Sequence, residues 1–185
     1  MATADILRGM LLYFILPLWL AAGFADYLCH RASHIETTSG WKESLLHLLQ
    51  FTEVGVPLLA ALALEINTGV ILLMIVCLVL HHATAMWDVH YANQTREVMP
   101  IEQHVHSVLE MLPLTALLMV IALNWTAFLG LFGLAPAEFA PRLKDLTLPW
   151  TYIVAVLGAT LLFEVLPYLE ELWRGLRARQ AASSS

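Results

Sequence analysis

VILLMIVCLVLHHATAMWDVHY, residues 70–91, decides how the chain is read. Every residue from Val70 to Leu80 is apolar; the His81-His82 doublet, Asp88 and His90 then follow with no proline or glycine to end a helix. A helix needs about 20 mostly apolar residues to cross a bilayer. Ionisable groups at the end of such a run are costly in hydrocarbon and usually face a bundle interior. Toward the N-terminus, Ile66-Asn67-Thr68-Gly69 is a tight connection to a second helix over about Glu43 to Glu65. A first helix runs from about Ile6 to Ser33, with a kink at Pro17. Toward the C-terminus, a polar loop from Ala92 to Pro100 leads to a fourth helix, about Ile101 to Leu134, bent at Pro113. Pro136 and Pro141 mark a further loop. A fifth helix spans about Trp150 to Arg174, and residues 180–185 read as a disordered tail.

The fold class expected is therefore all-α: a single integral membrane domain over residues 1–185, with about five transmembrane helices, four of them forming a metal-binding bundle. Composition agrees. Of the 185 residues, 59% are hydrophobic and only 13% charged, against about 25% charged in a soluble domain. The net charge of -6 offers no basic field for nucleic acid. Cys29 and Cys77 fall inside predicted helices and make neither a disulfide framework nor a cysteine-type zinc motif. Gly23-Phe24-Ala25 has the small residues of a signal-peptide cleavage site, but Asp26 and His30 continue one face of the same helix, so the segment reads as a retained span.

Lys and Arg counts set the expected orientation. Arg8, Arg142 and Lys144 lie on one side. Arg31, Lys42, Arg96, Arg174, Arg177 and Arg179 lie on the other, which is expected to be cytoplasmic, with the N-terminus outside, in a bacterial inner membrane. Trp125 and Trp150 suit the outer interface; Trp41, Trp87 and Trp173 suit the inner one.

All eight histidines fall between positions 30 and 106. In this topology they sit at the C-terminal ends of helices one and three and the N-terminal ends of helices two and four, so all approach one membrane face. Carboxylates share their stripes, since residues four or seven apart lie on one helix face. Asp26 pairs with His30, Glu43 with His47, His81 with Asp88, and His106 with Glu102 and Glu110; Glu53 lies deeper in helix two. The candidate metal ligands are Asp26, His30, His47, Glu53, His81, His82, Asp88, His106 and Glu110. Glu53, Asp88 and Glu110 double as candidate catalytic carboxylates. Imidazole with carboxylate suits zinc and non-haem iron, and helix bundles build two-metal sites from inward-facing groups of this kind. The ligand surplus predicts two metal ions, with iron favoured and zinc as the alternative.

His30-x-x-x-His34, the His81-His82 doublet and His104-x-His106 together resemble the histidine boxes of membrane-bound fatty-acid desaturases and hydroxylases. The usual His-x-x-His-His box is absent, and carboxylates stand in its place. The resemblance, over residues 30 to 106, implies two irons near the cytosolic face. It also implies oxidation of a lipid or other apolar small molecule with O2. The chain has no flavin or iron–sulfur motif, so an external electron donor is expected. Competing readings are a zinc hydrolase of a lipid amide or ester, with a carboxylate as base, and a metal or proton transporter. The transporter lacks a polar path, because the outer helix halves are almost wholly apolar apart from Asn124. A haem-b protein would leave the carboxylates unexplained.

Other polar residues read as ordinary. His90 and His104 lie off the stripes and suit helix–helix hydrogen bonds. Glu36, Glu43, Glu97 and Glu102 suit loops or helix starts. Glu170, Glu171 and Arg174 read as a solvated helix end. Glu164 either lines a cavity or pairs with Arg31 or Arg96.

Overall fold

The computed structural model describes residues 2–145 and 148–184. Five helices in it are long and apolar enough to span a membrane: α1 (Thr3–Ala32), α2 (Trp41–Ala63), α3 (Thr68–Thr95), α4 (Pro100–Leu123) and α6 (Trp150–Ser183). A short α5 (Trp125–Gly130) follows α4. No strand occurs among the described residues.

Local chemistry explains the boundaries. Asn67 caps α3, its side chain accepting from the Val70 amide at 3.0 Å, which satisfies one of the free N–H groups of the first turn. Pro100 starts α4, where its missing N–H costs nothing. At the α4 end the sequence reading needs correction. The helix does not continue to Leu134 but breaks at Asn124, whose ψ of 44° leaves the helical range and whose side chain bonds back to the Val120 carbonyl. It passes Pro113 unbroken. At the C-terminus α6 continues past Arg174 to Ser183, so residues 180–183 are helical where a disordered tail was expected; Ser185 lies outside the described residues.

α1 and α6 each contain a π-helical turn, Leu11–Ile15 and Leu161–Val165, immediately before Leu16-Pro17 and Leu166-Pro167. A proline ring clashes with the carbonyl four residues earlier and supplies no N–H. The wider turn accommodates both defects without ending the helix.

The spans pack in a ring, α1–α4–α3–α2–α6 and back to α1. The expected four-helix bundle is thus closed by a fifth helix. Close approaches fix α6 in place. Gly175 lies against the Trp41 backbone, where a Cβ would sit 2.9 Å away, and Gly23 of α1 lies against the Glu164 carboxylate.

Polarity across the ring is inverted relative to a water-soluble protein. Val79, Met86, Trp87, Leu162 and Leu118 are exposed on the outside, whereas Asp26, His30, Glu43, His47, Asp88 and Glu102 are buried within. Apolar groups left outward and acids drawn inward make sense in a lipid solvent, where no hydrophobic force drives apolar side chains into the bundle. At one end the core is aliphatic, with Ile71 packed on Leu117 and Ile121, and at the other it is ionisable.

Candidate metal centre

The stripes read from sequence meet in space. Asp26 and His30 come from α1, Glu43 and His47 from α2, His81 and Asp88 from α3, and Glu102 and His106 from α4. Glu164, Tyr168 and Glu171 come from α6. Many of them line a cavity of about 50 Å³ inside the ring, among them Asp26, His47, His81, Asp88, His106 and Glu164.

Two imidazoles form the centre of the cluster, His47 lining the cavity and His30 buried behind it. The His30 and His47 rings stack with centroids 4.1 Å apart and planes 7° from parallel. One carboxylate orients both: Nδ1–H of His30 donates to Glu171 Oε2 at 3.0 Å, and Nδ1–H of His47 donates to Glu171 Oε1 at 2.8 Å. An imidazole that donates from Nδ1 to a carboxylate presents the Nε2 lone pair on its other side, the arrangement by which proteins fix a histidine toward a metal. Nε2 of both rings is buried and has no hydrogen-bond partner.

Each Nε2 instead faces carboxylates. His30 Nε2 lies 3.5 Å from Asp26 and 3.6 Å from Glu102. His47 Nε2 lies 3.2 Å from Asp88 and 3.9 Å from Glu43. His106 Nε2 approaches Asp26 Oδ1 at 2.9 Å, close but outside hydrogen-bond alignment. Ligand atoms of Asp26, His30 and His106 lie within 4.8 Å of one another, as do those of His30, Glu43 and His47. The two triads share His30.

The charge balance is lopsided. Six acids are essentially buried: Asp26, Glu43, Asp88, Glu102, Glu164 and Glu171. One guanidinium enters among them, that of Arg96, which follows α3 and turns back between α2 and α4 to donate to both Glu43 and Glu102. Burial opposes the Arg96 charge, but the hydrogen bonds and charges of Glu102 and Glu43 more than offset this, holding the guanidinium above its ordinary range. A single cation cannot compensate six buried carboxylates. Protonated histidines, protonated carboxyl groups or bound cations supply the rest.

The other sequence candidates fall into place as follows. His81 lines the cavity with both ring nitrogens unpartnered. Glu110 also lines it, only half-buried. His82 is not brought in: its Nδ1 bonds the Leu78 carbonyl of its own helix at 2.9 Å, because its neighbour His81 occupies the inward face and the next residue turns about 100° away. Glu53 stands apart from the cluster, accepting from Thr84 Oγ1 at 2.9 Å. His34, His90 and His104 are exposed. Glu164 lines the cavity, with Oε1 buried and unpartnered, while Arg31 goes to Tyr27 and Glu170.

Glu43, Glu102 and Glu171 correct the sequence reading most, since all three look like solvated acids and are buried. A signal was present for each. Glu43 and Glu102 sit four residues before His47 and His106. Glu164, Tyr168, Glu171 and Gly175 form a buried stripe at helical spacing on α6. Replacing Glu171 with alanine should lower metal affinity by about 10–100-fold by releasing both imidazoles, measurable by competition with a chromophoric chelator; unchanged affinity would show that Glu171 orients nothing.

Comparison with protein-family models, with curated proteins and with solved structures gives no match.

Proposed function

We propose that this chain is a membrane-embedded di-metal oxidoreductase of the non-haem di-iron kind, a hydroxylase or desaturase acting on a lipid or other apolar substrate. One observation carries the reading: two stacked imidazoles are held by one carboxylate, so that each directs a bare Nε2 toward two more carboxylates. The donors form two half-sites. His30, Asp26, Glu102 and His106 surround one position, and His47, Glu43 and Asp88 surround the other. Mixed imidazole and carboxylate donors of this number fit two divalent ions better than one zinc, for which three protein ligands suffice. Two divalent cations would also supply the positive charge that the buried acids require.

When bound, iron would supply the O2 chemistry. Hydroxylation turns one C–H bond into C–OH, with the second oxygen atom leaving as water. The two electrons this requires come from an external one-electron carrier protein, and two protons from solvent. The chain's own residues would hold the metals, orient Nε2 of His30 and His47 through the Nδ1–H bonds to Glu171, and line a chamber of about 50 Å³. Excluding bulk water strengthens every electrostatic interaction inside.

Metal analysis of the purified protein tests this. Close to two ions per chain are expected, with iron exceeding zinc after growth in iron-rich medium. A single zinc per chain, unchanged by that medium, would move the assignment to a zinc hydrolase.

The proposed orientation places the histidine end in the cytoplasm, within reach of a cytosolic electron donor. A reporter fused after Ser185 should then read as cytoplasmic, and one inserted near Glu138 as external. The reverse pattern would place the centre at the outer face and remove a cytosolic donor from the scheme.

A further inference from the structure

A second, larger cavity of about 530 Å³ occupies the end of the ring opposite the histidines, within the range of small-molecule sites. Its walls are almost entirely aliphatic, and its length can be read from the helices. On α1 it extends from Arg8 to Trp19, and on α4 from Leu112 to Leu123, about 16 Å of helix axis in each case. The space is a tube. Pro57 and Pro113 line it, each leaving a turn of helix without its usual hydrogen bond.

The two ends differ in charge. Arg8 and Lys144 stand at one end, Glu53 and Trp19 at the other. Lys144 Nζ donates to the Ala61 carbonyl at 2.5 Å and has no ion-pair partner among the described residues. Burial pulls its ammonium below the ordinary range, a cost that a neighbouring anion would relieve. Arg8 is exposed and only loosely paired, 4.0 Å from Asp5. Trp19 and Val54 line both cavities, so the deep end of the tube abuts the wall of the metal centre.

We propose that this tube binds a single-chain anionic amphiphile of the fatty-acid type, its carboxylate at Lys144 and Arg8 and its hydrocarbon chain running inward to Trp19. The polarity of the ends fixes the direction, because a carboxylate placed deep would meet Glu53 and, beyond it, the buried acids. The ligand thus has its charged end at the Arg8 side of the membrane while a carbon far along its chain lies next to the metal chamber. Its role as substrate rests on the di-metal reading; its binding does not.

Equilibrium binding of palmitate and of hexadecanol to the full-length, metal-loaded protein in neutral detergent tests this, with metal content measured on the same samples. Saturable binding of one palmitate per chain is expected. Ala116→Trp, which fills the middle of the tube, should abolish binding of both probes. Lys144→Glu, at the loop end where folding is least at risk, should weaken palmitate by about tenfold or more and leave hexadecanol unchanged. Both variants should keep their metal. Metal-replete protein without a saturable palmitate site would overturn the proposal while leaving the di-metal reading standing, as would equal affinities of wild type and Lys144→Glu for palmitate. Palmitate bound by protein that purifies without metal would support the tube and remove the di-metal reading alone.

Discussion

Alanine at His30 or at His47 should bring metal content from about two ions per chain to well below one and abolish turnover. His30 belongs to both clusters of potential ligands, and the two rings share Glu171. Outer partners of a ligand cost about 10–100-fold in metal affinity when lost, and a direct ligand should cost at least that. His106→Ala should behave similarly, because its contact at 2.9 Å places it on Asp26. The controls are as informative as the losses. His90 is exposed and bonds to Gln94 of its own helix at 2.9 Å, and His104 is exposed, so alanine at either should leave metal content unchanged. His82→Ala should also retain metal, because the ring is engaged by the Leu78 carbonyl. Element analysis of these variants, on samples that remain monodisperse in detergent, decides the point. If His30, His47 and His106 variants kept full metal, the cluster would have to be explained as a network of buried ion pairs alone.

The second large effect belongs to Arg96. Its guanidinium is buried and donates to Glu43 and Glu102, both fully buried. Leucine in its place leaves two carboxylates without a counter-charge, and removing one partner of a buried ion pair costs about 3–5 kcal/mol. Arg96→Leu should therefore unfold at markedly lower denaturant. Arg96→Lys should fall between, since a single ammonium cannot reproduce the planar fork that reaches two carboxylates. Because Arg96 ties the start of α2 to the start of α4, the leucine variant should also weaken metal binding through Glu43 and Glu102. Equal stability of Arg96→Leu and wild type, in metal-free and metal-loaded protein alike, would mean that the two acids are neutral or solvated and that the clamp contributes nothing.

Much of this centre is legible without coordinates, and the reason is that helix geometry is local. Pairs such as Asp26 with His30, Glu43 with His47 and His81 with Asp88 share a face because 3.6 residues make a turn, whatever the helix packs against. The apolar run from Val70 to Leu80 required a helix in lipid. Alternating helix directions then brought the histidine-bearing ends to one side. The same periodicity also set His90 and His104 apart from the stripes, and both are exposed.

What periodicity could not supply was the rotation of each helix and the depth of each chain end. Glu43 and Glu102 look like ordinary acids at helix starts until Arg96 folds back between them, a contact that spans 53 residues in one case. Glu171 lies in a segment rich in charge, and only the packing of Gly175 on the Trp41 backbone shows that its face is inward. His81 shares the Asp88 stripe and His82 lies about 100° away from it, but only the position of α3 in the ring turns that stripe inward and leaves His82 on the Leu78 carbonyl. The sequence thus determined which residue types would line the helices and at which end they would gather. The tertiary structure decided which of them are buried together, because burial of a charge depends on partners from other helices that no single stripe contains.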